Sequence, residues 1–304
     1  MIKMKLPRSR IITFNPNKRG KAPFSWWRVF VVLGLFLMVA CTTAVVVGVL
    51  YIYNYDSVFS DGEEELTAIE ESSDQEDCNV YAEKLHGMLD TYVPPEGSEN
   101  AGDIVGSEDI VFNIESAAAD SEIKAVLIDI DSSGGYAVAA DEIAKALKAL
   151  DKPSVAVIRG YGDSAAYWAA TGADIIFASP LSDVGSIGIT SSYLENSKYN
   201  NTEGYTYQQL SLGKYKDMGD PDKPLTAEEK EIIMNQLEQA YNYFIQVVAT
   251  NRNIPIEEVK KLATGTSFTG TEALELKLID ALGGIPEATA WLEKQINAKP
   301  ELCW

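Results

Sequence analysis

A run of 25 residues without a charged side chain, residues 29–53, is the feature that most constrains this chain of 304 residues. As a helix with a rise of about 1.5 Å per residue, the run is long enough to cross a bilayer core of about 30 Å. Aromatic residues lie at both of its ends, Trp26 and Trp27 on one side and Tyr51 and Tyr53 on the other. Because such rings favour the membrane interface, the sequence predicts one transmembrane helix over residues 29–53, with the lipid bilayer as its partner.

The charges on the two sides of this run predict its orientation. Residues 1–28 carry eight basic residues and no acidic one, whereas residues 54–304 carry 17 basic and 45 acidic residues, a net charge of −28. Because basic flanks stay on the cytoplasmic side, residues 1–28 are predicted to be cytoplasmic and the rest extracytoplasmic, in a single-pass protein of the cell membrane. Nucleic acid is not an expected partner of so acidic a surface, since phosphates need Lys and Arg.

Other interpretations of the apolar run stay open. The apolar segment of a cleaved signal peptide is shorter, about 7–15 residues, and ends at a small-x-small site that is not convincing here. Ala40-Cys41 weakly resembles a lipid-attachment sequence, although the apolar run continues beyond Cys41. The sequence therefore favours the membrane helix over both alternatives.

Two cysteines lie at the ends of the outer part, Cys78 and Cys303. An oxidising compartment permits a disulfide between them. Spacing alone does not fix the geometry that a disulfide requires, so two unpaired thiols remain an equal alternative.

Composition and periodicity divide the outer part of the chain. Residues 54–77 hold ten acidic residues and no basic one, which predicts an acidic flexible linker over residues 54–78 and one folded domain over residues 79–304. Buried strands are predicted at residues 124–130, 154–158 and 174–178, with a possible fourth at 187–191. Helices are predicted at residues 138–150, 165–170, 256–262 and 285–296, with a long helix that begins at a capping box formed by Thr226 and Glu229. Apolar strands that alternate with helices predict an α/β fold with a parallel-type sheet.

The residue inventory limits the chemistry that this domain can perform. His86 is the one histidine of the chain, and no cysteine pair has zinc spacing, so neither a metal nor a cofactor is predicted. An enzyme of this composition would take its general base from Lys, Asp or Glu.

Two segments that follow predicted strands carry candidate functional residues. Gly134 and Gly135 come after the strand at residues 124–130, where glycines let backbone N–H groups approach a ligand. Ser164 lies between the strand at residues 154–158 and the helix at residues 165–170, which is typical of a nucleophile elbow, although a serine there could equally cap the helix.

Three further segments follow in order: GSIGI at residues 185–189, GKYKDMG at 213–219 and FTGTEALELKLIDALGG at 268–284. Together with the preceding motifs, they resemble the signal peptide peptidase A family of serine peptidases, related in fold to Clp protease and crotonase. The resemblance covers about residues 79–296. It implies repeated β-β-α units and a membrane-anchored endopeptidase that forms a homo-oligomeric ring. The implied substrates are hydrophobic peptides, such as remnant signal peptides, or unfolded polypeptides.

The resemblance also implies a role for each candidate residue. Ser164 matches the nucleophile and Lys216 the general base of a Ser-Lys dyad. Gly134, Gly135 and the N–H of Ala165 match the oxyanion hole, and Ser186 matches a serine that orients the lysine. A lysine can act as a base only when it is neutral, so its ordinary pKa of about 10.4 must fall by burial. Lys214 is the nearest rival for this role.

The chain departs from the family pattern around the serine. Ser133 replaces a proline, Ala165 and Ala166 replace glycines, and Asp163 precedes the nucleophile. These changes keep a second hypothesis open, a catalytically inactive peptide-binding scaffold on the same fold. A crotonase-like acyl-CoA enzyme is disfavoured, because CoA is a cytosolic polyanion and this domain is acidic and predicted to be extracytoplasmic.

Overall fold

The computed structural model describes residues 38, 42, 43, 78–95 and 103–304. The chain divides into two compact units, residues 1–73 and 74–304. The predicted cytoplasmic segment, membrane helix and linker lie outside the described residues, apart from Met38, Thr42, Thr43 and Cys78. No helix within the described ranges is both long and apolar enough to cross a membrane. The membrane helix therefore stays a prediction, as do the domain boundaries.

Residues 78–95 and 103–304 form ten short strands and eight helices. The strands are β1 (Val80–His86), β2 (Met88–Asp90), β3 (Ile104–Gly106), β4 (Ala125–Ser132), β5 (Ser154–Asp163), β6 (Ile175–Ala178), β7 (Asp183–Gly185), β8 (Ser267–Thr269), β9 (Ala281–Leu282) and β10 (Leu302–Cys303). The helices are α1 (Ser107–Ala119), α2 (Ala137–Lys148), α3 (Ala165–Ala170), α4 (Ser197–Thr202), α5 (Ala227–Asn251), α6 (Ile256–Leu262), α7 (Gly270–Glu275) and α8 (Ile285–Ile296).

The main sheet is parallel along its path β10-β1-β4-β5-β6-β9. Its central strand β4 is buried at all but one of its eight positions, which agrees with the continuous apolar run in its sequence. The predicted α/β class is thus confirmed. Its finer description, repeated β-β-α units like those of Clp protease and crotonase, stays a prediction.

Helices pack on both faces of this sheet. On one face, α1–α3 and α5–α7 form the larger core, where the rings of Trp168 and Phe244 stack with their centroids 4.7 Å apart. On the other face, Ala288 and Leu292 of α8 pack against the alternate residues of β1, β4 and β5. The predicted capping box of the long helix is present, since Thr226 and Glu229 bond each other at the start of α5.

Two predictions about strands need correction. The possible strand at residues 187–191 is wrong, because β7 ends at Gly185 and the chain turns there, with φ of 105° at Gly185 and 47° at Ser186. Strand β5 continues to Asp163, five residues beyond the predicted end, because its last residues pair with β7. Tertiary pairing here overrides the low strand propensity of Gly160 and Gly162.

The two ends of the domain meet at the edge of the sheet. Cys78 and Cys303 form a disulfide with their Cα atoms 5.5 Å apart, beside the pairing of β1 with β10. The disulfide is therefore formed, and the alternative of two free thiols is excluded. His86 is the last residue of β1, and Gly87 turns the chain there with φ of 104°.

Candidate active site

Ser164 lies at the turn between β5 and α3 in a strained backbone conformation. Its φ is 51° and its ψ is −119°, a combination that residues with a side chain seldom adopt. The turn is held in place by the Ser164 N–H, which donates to the Gly185 carbonyl at 2.7 Å. A half-buried serine raised on such a strand–turn–helix corner matches the geometry of a nucleophile elbow.

The Gly134–Gly135 turn packs directly against this elbow. A Cβ at Gly134 would lie 2.9 Å from the Cβ of Ser164 and 3.1 Å from the Ala165 nitrogen. A Cβ at Gly135 would lie 2.1 Å from the Leu89 carbonyl oxygen. Only glycine therefore fits at both positions, and the close approach sets backbone N–H groups beside Ser164.

The N–H groups near Ser164 differ in whether they are already engaged. The Gly134 N–H donates to the Oγ of the buried Ser132 at 3.1 Å. The N–H groups of Gly135 and Ala165 meet no acceptor among residues 78–95 and 103–304. These two groups are therefore the available donors for an oxyanion. Ser132, which the sequence did not single out, bonds the backbone of the Gly134–Gly135 turn.

A cavity of about 580 Å³ opens beside Ser164. Ser164, Ser186 and Gly135 line it together, and none of its lining side chains is charged. Ser186 donates its Oγ–H to the Gly265 carbonyl at 3.2 Å, which ties it to the opposite wall. On that wall, the Tyr241 hydroxyl donates to the Ala263 carbonyl at 2.6 Å.

Asp163 points away from this cavity. Its Oδ1 accepts a hydrogen bond from the Ser267 hydroxyl of β8 at 2.8 Å, and it is not among the residues that line the cavity. Burial raises the pKa of the Asp163 carboxyl, the Ser267 hydrogen bond opposes this, and the nearby Asp183 adds to it. The charge that the sequence sets next to Ser164 is thus directed at β8.

Lys216 does not lie with the other predicted residues. It is exposed in the turn at residues 213–218, it does not line the Ser164 cavity, and its side chain bonds no other described residue. Its rival Lys214 bonds the Glu228 carboxylate at 2.7 Å, and this hydrogen bond raises the pKa of Lys214. A lysine held in its charged form is unsuited to act as a base. Within one chain, the structure brings together Ser164, Ser186, the glycine turn and Ala165, and it leaves Lys216 apart.

Several residues around the site were not predicted from the sequence. Ser132 accepts the Gly134 N–H, and the only sign of this bond in the sequence is a hydroxyl two positions before the glycine. Tyr241 lies on the long helix α5, and its bond to Ala263 depends on the tertiary fold. Ser267 had no signal, because its partner Asp163 is 104 residues away.

An α/β domain with a serine elbow, neighbouring N–H donors and an uncharged cavity has the arrangement of enzymes that attack carbonyl groups. Comparison with known proteins gives the family. Peptidase family S49 matches residues 146–299, more than half of the chain, so this chain belongs to that family.

Individual relatives resemble the chain over most of its length. The chloroplastic serine protease SPPA of Arabidopsis thaliana is 32% identical over 199 residues, which are 64% of this chain and 29% of that protein. Protease 4 of Salmonella typhi is 32% identical over 200 residues, 64% of this chain and 32% of that protein. A Methanocaldococcus jannaschii protein that carries the name of a protease is 33% identical over 186 residues, 60% of each chain. The aligned part therefore spans less than two thirds of these relatives.

One solved structure, a ClpP1 mutant from Listeria monocytogenes, covers 68% of this chain and 92% of its own length. Its sequence identity is 14% and its TM-score is 0.45. A likeness at this level defines neither the assembly nor the mechanism of this chain.

Proposed function

We propose that this chain is a membrane-anchored serine endopeptidase in which Ser164 is the nucleophile and Lys216 is the general base. The observation that carries the proposal is the strained Ser164 elbow, packed against a glycine turn with two unengaged N–H groups beside it. Membership of a peptidase family supports the same conclusion.

In this mechanism neutral Lys216 takes the proton of the Ser164 hydroxyl as Oγ attacks the peptide carbonyl. The N–H groups of Gly135 and Ala165 donate to the oxyanion that forms. Lys216 then gives the proton to the leaving amine. Water, activated by the same lysine, cleaves the ester to release the acid and restore Ser164.

The exposed position of Lys216 supports a dyad that is completed between chains. A lysine acts as a general base only when it is neutral, which calls for a drier environment beside a serine than an exposed loop provides. The segment between β7 and α5 carries Lys216 and also exposes Leu194, Leu210 and Leu212 almost fully. Apolar side chains presented in this way are suited to contact another copy, as in a homo-oligomeric ring.

The cavity beside Ser164 supports hydrophobic peptides as substrates. Tyr136, Ile189 and Tyr241 line it, and an uncharged lining offers no partner to a charged side chain. Remnant signal peptides and unfolded polypeptides have segments of this kind. The Cys78–Cys303 disulfide supports an extracytoplasmic domain, with residues 29–53 as the membrane anchor.

The test uses the full-length protein in detergent with unfolded casein and a fluorogenic hydrophobic peptide. Ser164→Ala and Lys216→Ala are each expected to lower kcat/KM by about a thousandfold or more, because each removes half of the dyad. Lys214→Ala is the matched control and should retain activity, since its exposed pair with Glu228 contributes little. A fluorophosphonate should label Ser164, as located by mass spectrometry.

The inactive scaffold is the second candidate, and the separation of Lys216 from Ser164 within one chain favours it. A folded, assembled wild-type protein that neither cleaves substrate nor reacts with the fluorophosphonate would rule out the peptidase and favour the scaffold. Activity that survives Lys216→Ala but is lost in Lys214→Ala would keep the peptidase and change the base.

A further inference from the structure

An ion-pair network lies next to Lys216 in the loop that leads into α5. Lys223 contacts two carboxylates, with its Nζ 2.7 Å from Glu229 Oε1 and 3.6 Å from Asp217 Oδ1. All three side chains are largely buried, with exposed fractions of 15% for Lys223, 5% for Glu229 and 13% for Asp217. Asp217, Lys223 and Glu229 form what is called here the Lys223 network.

One end of the Lys223 network fixes the residue that follows Lys216. The Asp217 carboxylate accepts hydrogen bonds from the Tyr207 hydroxyl at 2.9 Å and from the Gln209 side-chain amide at 2.8 Å, in addition to its contact with Lys223. The side chains of Tyr207, Gln209 and Lys223 therefore hold Asp217. The backbone of Lys216 is one peptide bond from this anchor, while the exposed Lys216 side chain makes no hydrogen bond or ion pair with the described residues.

The other end of the network reaches a helix that is anchored in the core. Glu229 accepts the Thr226 N–H at 2.9 Å and donates its own N–H to the Thr226 hydroxyl at 3.2 Å, which completes the cap of α5. The later part of the same helix is buried in the core through Phe244, Ile245 and Val248. The Lys223–Glu229 hydrogen bond is charge-assisted, which is the stronger kind, and the Lys223–Asp217 ion pair connects it to the residue next to Lys216.

The pair at the centre of the network stays charged around neutral pH. The Lys223 hydrogen bond, together with the bonds from Thr226, lowers the pKa of Glu229 to about 2. The same Glu229 bond raises the pKa of Lys223. On the other side of Lys216, the Lys214–Glu228 pair is exposed at 65% and 54% and is open to screening by water and salt. The buried side of the loop is therefore the side that determines its position.

We propose that Lys223 is a positioning residue for catalysis, which sets the location of Lys216 by holding Asp217 to the capped end of α5. The inference rests on the proposed role of Lys216 as the base. A general base must come within hydrogen-bond reach of the hydroxyl proton, about 2.6–3.2 Å between heavy atoms, so a loosened loop would slow proton transfer. Substrate binding at the Ser164 cavity does not involve the network, because none of its three residues lines that cavity.

The test compares kcat and KM of full-length variants on the fluorogenic hydrophobic peptide. Lys223→Met keeps the length of the side chain and removes its charge, and we expect kcat to fall about tenfold or more with KM within about twofold of wild type. Lys223→Arg keeps the charge and should recover most of the lost rate. The matched control is Lys261→Met, which removes one lysine from an exposed pair with Glu258 and should behave as wild type.

A second variant and a second measurement separate positioning from folding. Asp217→Asn retains acceptor oxygen for Tyr207 but removes the charge that Lys223 contacts, and it should also lower kcat selectively. Hydrogen–deuterium exchange should rise at residues 213–218 in Lys223→Met and stay unchanged in the buried strand β4. If Lys223→Met unfolds, Asp217→Asn alone decides the question.

Three outcomes would overturn the inference. They are an unchanged kcat in Lys223→Met, a rise in KM at constant kcat, and unchanged exchange at residues 213–218. In each case an active wild type would leave the proposed peptidase function intact. A wild type that cleaves nothing would instead remove the proposed function, and this inference with it.

Discussion

At the scale of single residues, Asp163 carries a charge that the fold buries with the Ser267 hydrogen bond as partial compensation. No cation pairs with it among the described residues, and burial raises the pKa of its carboxyl. An acid whose pKa is raised by folding lowers stability where it is ionised, and this cost disappears as the pH falls and the group takes up a proton. We therefore expect Asp163→Asn, which keeps an acceptor for Ser267, to raise the unfolding temperature at pH 7 by about 2 °C. The difference should shrink towards pH 4.

Ser267→Ala is the matched control, because it removes the hydrogen bond and leaves the charge. Calorimetry should show a lower unfolding temperature for that variant at pH 7. A lower unfolding temperature for Asp163→Asn as well would mean that the carboxylate stabilises the fold in its ionised form.

The residues nearest Ser164 were predictable because their roles depend on local chain geometry. A serine between a strand and a helix, and a glycine pair after a strand, are visible in short stretches of sequence. The direction of Asp163 was not predictable, since it depends on Ser267 reaching it across β7. The same holds for Lys216, whose place relative to Ser164 depends on how a long exposed segment folds.

At the scale of secondary-structure elements, α5 shows how a cap responds to pH. Glu229 has a pKa of about 2 in the folded protein, below its ordinary 4.5. Its contribution to stability is complete above about pH 5 and is lost as the pH falls through the folded value, because the unfolded chain takes up the proton first. Glu229→Gln should lower the unfolding temperature at pH 7 and flatten its dependence on pH between pH 6 and pH 2.

Glu231→Gln provides the comparison, since Glu231 lies on the same helix, is exposed and takes no part in the cap. Thermal unfolding by circular dichroism over this pH range should give Glu231→Gln the wild-type slope. If the unfolding temperature of Glu229→Gln depended on pH with the wild-type slope, Glu229 would not be the acid-sensitive group.

Elements with strong local signals were predicted well, and those fixed by tertiary pairing were not. The cap of α5 and the apolar strands β4 and β6 each depend on residues that are contiguous in the sequence, so a short stretch is enough to predict them. Strand β7 was displaced in the prediction because the left-handed backbone at Gly185 and Ser186 ends it where an apolar pattern continues. The last part of β5 contains two glycines and becomes a strand only through its partner β7.

At the scale of the whole molecule, the separation of Lys216 from Ser164 predicts complementation between chains. If each site combines a serine from one copy with a lysine from another, co-expressed Ser164→Ala and Lys216→Ala chains will assemble some intact sites. Random assembly restores about a quarter of them, because each intact site needs both unaltered partners. The measurement is the rate of peptide cleavage by the purified mixed assembly.

Co-expression of Ser164→Ala with a Ser164→Ala/Lys216→Ala double variant is the control and should give no activity. Zero recovery in the mixed assembly, with wild type active, would show that the dyad forms within one chain. In that case the segment between β7 and α5 must move towards its own Ser164.

The Cys78–Cys303 disulfide makes the domain a closed covalent loop in which 225 positions separate the two joined residues. A peptide bond broken anywhere inside that loop opens the loop but detaches nothing. The exposed segment around Leu210 and Leu212 is the kind of region that proteases cut, and here neighbouring copies are themselves proposed to be proteases. After one such cut, the Cys78–Cys303 disulfide would still join the two pieces of the domain to each other. Cleaved copies would then remain in one piece, and their fragments would separate only when the disulfide was reduced.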